Sequence, residues 1–285
     1  MKLKVGLMSR DTGDLGSYTP SKDGVYGSAL DDILCLVEEC DVVAGPEWLF
    51  LPRDRLHDTY EKDNLISKLC DATKGQTKLV LPGTIFWHDG DYAYNTCPIV
   101  ANGELVGEYH KYYSGGDEQI VFDENTRRGE IKEKKFHQLR NYLQLTGRSL
   151  DDIFPELKKL KWKAGNEKAY NFTWEGLNVG AAICADASGL HHRLHSEDPE
   201  EKIDRLDLHF LVSCGNTLAN HSLALKHNGY ALCSNGVSNP GLRVEVLKYE
   251  FDPSIHRFPS TGTVPEIKEI EEHAEGLIYE IEVEE

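Results

Sequence analysis

The strongest constraint on this chain is a series of short, β-branched apolar runs, each bounded by Gly, Pro or Asp. Residues 3–8, 41–44, 78–81, 97–100, 178–184, 208–212 and 230–234 are all of this kind. Runs this brief predict fully buried strands rather than helices. Between them, residues 29–39 place Leu30, Ile33, Leu34 and Val37 on one face, the pattern of an amphipathic helix. Two strand pairs predict hairpins, one turning at Asn102-Gly103 and one at Glu175-Gly176. Residues 276–283 alternate apolar and polar, which predicts a final half-buried strand. Buried strands, hairpins and intervening helices together predict a layered α/β sandwich. The chain has 285 residues and no linker-like seam, so residues 1–285 are expected to form one domain.

One stretch stands apart. Residues 123–163 are densely charged, with Ile131, Phe136, Leu139, Tyr142 and Leu143 spaced as one helix face. Ser149-Leu150-Asp151-Asp152 offers an N-cap for a second helix running through Leu160. This predicts a helical insertion over the sandwich, either a solvated hairpin or a cover for a site.

Charge and cysteine usage narrow the function classes. Lys and Arg total 31 against 48 Asp and Glu, a formal net charge of -17. A chain this acidic repels phosphate backbones and anionic membrane surfaces, so neither nucleic acid nor membrane is expected as a partner. No apolar run reaches membrane-spanning length, and the N-terminal run is too short for a signal peptide. The 7 cysteines are odd in number and irregularly spaced, with no CxxC pair. That pattern predicts reduced thiols in a cytoplasmic protein rather than a disulfide framework.

Chemistry has three candidate places. In Val42-Val43-Ala44-Gly45-Pro46-Glu47-Trp48, a strand runs into Gly-Pro and presents Glu47 where α/β folds meet their ligands. In Gly107-Glu108-Tyr109-His110-Lys111-Tyr112-Tyr113, a hairpin strand ends on a lysine set among aromatic rings. Held cationic by carboxylates, Lys111 can stabilise an oxyanion. In Asn178-Val179-Gly180-Ala181-Ala182-Ile183-Cys184-Ala185-Asp186, a buried strand ends on Cys184 among small residues. Asp186 is placed to cap a helix there, and backbone N–H groups at such a turn can stabilise a thiolate. Taken singly, each has a bland counterpart: a loop glutamate, a surface lysine with its stem on tyrosine rings, one more buried cysteine.

Taken in order, Gly-Pro-Glu47, Tyr94-Asn95-Thr96 with a hairpin into Tyr109-His110-Lys111, and Gly180-x-x-Ile183-Cys184-x-Asp186 resemble the nitrilase superfamily of carbon–nitrogen hydrolases. The resemblance extends through residues 79–84, 211–214, 230–235 and 275–283, covering most of the chain apart from the insertion. It implies a four-layer α-β-β-α sandwich, a Glu47-Lys111-Cys184 triad, no metal or organic cofactor, and a homodimer. A second glutamate follows the lysine in many members. Glu118 is the nearest candidate for it, in competition with Asp117, Glu124 and Glu130. Trp48, Tyr113, Ala185 and Asn216 are the candidate substrate-binding residues. The chain also departs from the family pattern. Residues 9–27 form a Gly- and Asp-rich stretch in place of a long first helix. No Pro-Glu follows Cys184-x-Asp186, and the segment 222–228, matched to a helix before a late strand, carries no arginine. The resemblance therefore carries the triad and not the specificity.

The implied reaction is cleavage of a non-peptide C–N bond in a small amide through a thioester on Cys184. A nitrilase, a carbamoylase or an amide-forming acyltransferase would use the same three residues. Two other classes compete. His191, His192 and His195 form an HHxxH cluster, but it lacks the glutamate of a zinc hydrolase motif and reads better as a solvated helix start. A non-catalytic binding or assembly protein on the same scaffold is the other.

Overall fold

The computed structural model describes residues 1–10, 27–50, 56–112, 161–165, 170–199, 202–214, 218, 223–236, 244–249, 261–263, 266–269 and 276–284. The first half of the chain runs β1 (Lys2–Met8), α1 (Gly27–Glu39), β2 (Val42–Ala44), α2 (Thr59–Thr73), β3 (Leu79–Leu81), β4 (Ile85–Asp89), β5 (Tyr92–Ala101) and β6 (Glu104–His110). The second half runs β7 (Lys161–Trp162), β8 (Tyr170–Trp174), β9 (Leu177–Ile183), a 3₁₀ turn (Cys184–Ser188), α3 (Gly189–Leu194), β10 (Leu206–Ser213) and β11 (Leu225–Asn235). It closes with β12 (Val244–Tyr249), β13 (Thr261–Thr263), β14 (Glu266–Glu269) and β15 (Gly276–Glu282).

These strands make two sheets. The first has the order β14-β15-β1-β2-β3-β5-β4, with β6 and β7 also pairing with β5. The second has the order β13-β12-β11-β10-β9-β8. Strands β1, β2 and β3 are parallel, as are β9, β10 and β11, so the carboxyl ends within each set lie together. Two bonds tie those ends across the sheets: Ser234 Oγ donates to the carbonyl of Met8 at 2.7 Å, and Glu47 N–H to that of Ser213 at 3.1 Å.

Side-chain alternation explains the layering. Leu3, Val5, Leu7, Val42 and Ala44 meet Val179, Ala181, Ile183, Phe210 and Leu232 in a core between the two sheets. On the outer face of the first sheet, Met8, Val43 and Val80 pack against Leu30, Ile33 and Leu36 of α1 and Leu65 and Leu69 of α2. On the outer face of the second, Ala182, Leu211 and Ala231 pack with Leu190 of α3. The order is helix, sheet, sheet, helix, the α-β-β-α sandwich that the resemblance implies.

Every strand expected from the apolar runs is present, and both tight turns carry positive φ: Asn102 55°, Gly103 89°, Glu175 48° and Gly176 80°. Helix α2 was missed, although its start is written in the sequence as Asp58-x-x-Glu61. Asp58 accepts from Glu61 N–H at 2.8 Å while Glu61 accepts from Asp58 N–H at 3.1 Å, a capping box. Residues 161–162, which follow the expected second helix, form strand β7 beside β5, while 123–160 lies outside the described residues. One expectation needs correction. Within 222–228, residues from Leu225 onward belong to β11, where Leu225 pairs with Leu206 and the chain takes its place in the sheet rather than in a helix.

Candidate active site

Glu47 is set by a close approach of two backbones. Beyond β2, Gly45 N–H donates to the carbonyl of Leu81, and Thr84 N–H to that of Pro46. A Cβ on Gly45 would lie 2.4 Å from the Pro82 oxygen, and one on Gly83, at φ +99°, would lie 2.4 Å from the Pro46 oxygen. Only glycines let Gly45-Pro46 and Pro82-Gly83 nest this tightly. Trp48 then takes φ 69°, its N–H bonded to Thr84 Oγ1 at 2.8 Å and its ring stacked on Phe86 at 4.5 Å. The turn delivers the Glu47 carboxylate, 1% exposed, into the space between the two sheets. Trp48 itself is buried.

Lys111 arrives from the end of β6. Its N–H donates to the carbonyl of Asn95 at 2.9 Å, and its own carbonyl accepts from Gly165 N–H at 3.1 Å. The ammonium, 1% exposed, lies 2.6 Å from Glu47 Oε1. Asn95 Nδ2 donates to the same oxygen at 2.8 Å. Burial opposes a charge on Lys111, but Glu47, Cys184 and Asp186 together outweigh it and hold the amine above its ordinary value. The lysine is a locked cation.

Cys184 sits where β9 gives way to the 3₁₀ turn, at φ 46°. A non-glycine residue in this region is strained, and strain of this kind persists only where the surroundings over-determine it. The half-buried Sγ is 3.9 Å from the carbonyl oxygen of Cys214 and also interacts with the Ser213 side chain. Burial, then the Glu47 charge, push its thiol up, against Lys111 and the bonds to Cys214 and Ser213, which pull it down. Whatever stabilisation the turn can offer a thiolate, burial and the Glu47 charge oppose it. The site holds a thiol with a carboxylate nearby.

Asp186, expected as a helix cap, is bound by the segment that carries Lys111. Its fully buried carboxylate accepts from Tyr109 O–H at 2.5 Å and from Tyr112 N–H at 2.8 Å. It thus ties the turn behind Cys184 to the strand that carries Lys111. Ala185 lies in that same 3₁₀ turn, next to Cys184. Glu118, Tyr113 and Asn216 lie outside the described residues, as do Asp117, Glu124 and Glu130. The HHxxH residues straddle the end of α3, with the His191 and His195 rings edge to face at 4.7 Å. Among the described residues no group of three or more His, Cys, Asp or Glu is arranged to hold a metal ion. None of the seven cysteines is in a disulfide, and Cys40 and Cys97 are pushed up to about 12 by burial. No described helix is long and apolar enough to cross a membrane.

Two contributors went unnoticed as site residues, Asn95 and Ser213, though both lie in segments that carried the family resemblance. Each is a polar residue inside a buried strand, which is the signal that marks them.

No family model matches the chain, and no curated protein matches it. Solved structures do. A CN-hydrolase superfamily protein from Xanthomonas campestris, with an arsenic adduct in its active site, superposes with a TM-score of 0.55 at 14% identity, over 99% of this chain and 91% of that one. Saccharomyces cerevisiae Nit3, a member of branch 10 of the nitrilase superfamily, gives 0.53 at 14% identity over 98% and 90%. An amidase from Nesterenkonia sp. gives 0.51 at 10% identity over 98% and 90%. The chain has the fold of the carbon–nitrogen hydrolase superfamily.

Proposed function

We propose that this protein is a carbon–nitrogen hydrolase that cleaves a small amide through a thioester on Cys184. The observation that carries the reading is the meeting of Glu47, Lys111 and Cys184 at three strand ends, in a fold whose solved examples include amidases. Scattered burial of a carboxylate, an amine and a thiol is costly. Placing all three together, Glu47 and Cys184 beyond the carboxyl ends of parallel strands and Lys111 at the end of the hairpin strand β6, is an arrangement a catalytic site can use.

The roles follow from charge and protonation. Cys184 starts as a thiol, so its proton must leave as the sulfur attacks the amide carbon, and Glu47 is the acceptor. The C=O bond becomes a C–O⁻ bond, and the Lys111 cation faces that charge. One such donor is worth about 2.7–4 kcal/mol in the transition state. As the C–N bond breaks, the proton on Glu47 passes to the departing amine and the carbonyl re-forms as a thioester. Water, giving a proton to Glu47, attacks the thioester carbon. The acid leaves, and the proton returns to Cys184. Protons and charges balance with no other reactant. Small neutral amides are the proposed substrate class, because an acidic chain with a buried carboxylate disfavours anions. A homodimer is proposed from the resemblance alone, and light scattering in solution tests it.

The test is a panel of small amides, nitriles and carbamoyl compounds assayed with wild type and Cys184→Ala. Ammonia or amine release by wild type, abolished in the variant, with an acyl mass adduct on Cys184 trapped at short times, is the expected outcome. Undiminished turnover by Cys184→Ala would sink the proposal.

A further inference from the structure

Asn95 lies in the middle of β5 with none of its surface exposed. It touches both members of the buried ion pair. Its side chain donates to Glu47 Oε1 at 2.8 Å, and its main-chain carbonyl takes the N–H of Lys111 at 2.9 Å. The amide orientation is set by chemistry, since only Nδ2 can donate to a carboxylate. Its Oδ1 is then left buried with no hydrogen-bond partner among the described residues. Packed cores rarely keep such an atom, and the next residues on the same face of β5, Cys97 and Ile99, are apolar filling of the core between the sheets. The asparagine is therefore held for what Nδ2 does.

What it does is hold one carboxylate oxygen. Lys111 Nζ and Asn95 Nδ2 converge on Oε1, at 2.6 and 2.8 Å. A donor to a carboxylate favours its charged form and fixes its direction. We propose that Asn95 is the positioning residue of the base: with Lys111 it grips Oε1 and fixes the carboxylate beside Cys184. This rests on the reading of Glu47 as the base for Cys184. Among the described residues, the charged and titratable groups of this cluster are Lys111 at the end of β6, Cys184 at the end of β9 and Asp186 in the turn behind it. All three are retained when Asn95 alone is changed, so a shift in pH dependence reports on Asn95.

The experiment follows alkylation of Cys184 by iodoacetamide from pH 4 to 9, read as peptide mass so that the other six cysteines are resolved. It needs no substrate. Asn95→Asp keeps the side-chain volume, removes the donor and puts a second carboxylate against Glu47. The acidic limb of the Cys184 labelling rate is expected to rise by about one pH unit or more, with labelling at pH 6 about tenfold slower. Circular dichroism checks folding, and Asn95→Ala replaces the first variant if that one does not fold. Glu47→Gln is the control. If Glu47→Gln slows labelling while the folded Asn95 variant matches wild type in limb and rate, the role of Asn95 is overturned and the base stands. If Glu47→Gln labels like wild type, the base falls and Asn95 with it.

Discussion

Replacing Lys111 with methionine keeps most of the stem's volume and removes its charge. Glu47, 1% exposed, then loses its cationic partner and keeps the neutral Asn95 donor from β5. At an effective dielectric of about 20, unit charges 2.6 Å apart attract by about 6 kcal/mol. Losing the lysine's own desolvation cost gives part of that back, and breaking a buried pair from one side typically costs about 3–5 kcal/mol. We expect Lys111→Met to lose about 3 kcal/mol at pH 7, near the lower end because the Asn95 hydrogen bond remains. Protonation of Glu47 relieves the stranded charge, so the loss shrinks as the pH falls toward 4. The double variant Glu47→Leu/Lys111→Met removes both charges and should regain most of the stability. Urea unfolding at several pH values measures this through the midpoint, with the slope checked for constancy. A loss below about 1 kcal/mol, unchanged from pH 4 to 8, would refute the buried pair as described.

Asp186→Asn removes the charge that takes Tyr109 O–H and Tyr112 N–H; it should cost about 2 kcal/mol in urea unfolding, since the amide oxygen can keep only part of that bonding. Gly83→Ala should destabilise by more than about 2 kcal/mol, because φ +99° and the Pro46 oxygen both oppose a Cβ. Gly90→Ala, at φ +53° in open space, is the control and should cost only about 1 kcal/mol by thermal unfolding. His209 is buried in β10 and held neutral by desolvation, its pKa lowered from 6.5 to about 4. A lowered folded value means that stability is intact above pH 6.5 and is lost as the pH falls toward 4, by about 3 kcal/mol. His209→Leu should flatten that acid decline in urea midpoints measured from pH 7 to 4.

Much of the fold was legible because its signals are local. The run Val42-Val43-Ala44 can only be a buried strand, and α1 shows its face in Leu30, Ile33 and Val37. Helix α2 was legible too, through Asp58 and Glu61, but its low apolar content hid it: Glu61 and Lys62 are buried, with Glu61 near His57 just before the helix and Lys62 paired with Glu108 of β6. The order Glu47, Lys111, Cys184 could be read as motifs. Asn95 could be quoted and not understood, because its importance lies in two atoms, 48 residues apart in the chain from Glu47 and hydrogen-bonded to it in space.

By itself the sequence determined strand identity, the tight turns at Asn102-Gly103 and Glu175-Gly176, and the three chemical groups at strand ends, since each depends on near neighbours and backbone preference. Only the tertiary structure decided protonation and partnership. Cys184 is a thiol rather than a thiolate because burial and Glu47 outweigh Lys111. Lys111 is a locked cation because its acidic neighbours, Glu47 first, outweigh its burial, and Asp186 clamps the turn behind Cys184 to the strand that carries Lys111. Those balances are set by distance and desolvation, which strands 60 to 140 residues apart acquire only when the two sheets close on one another.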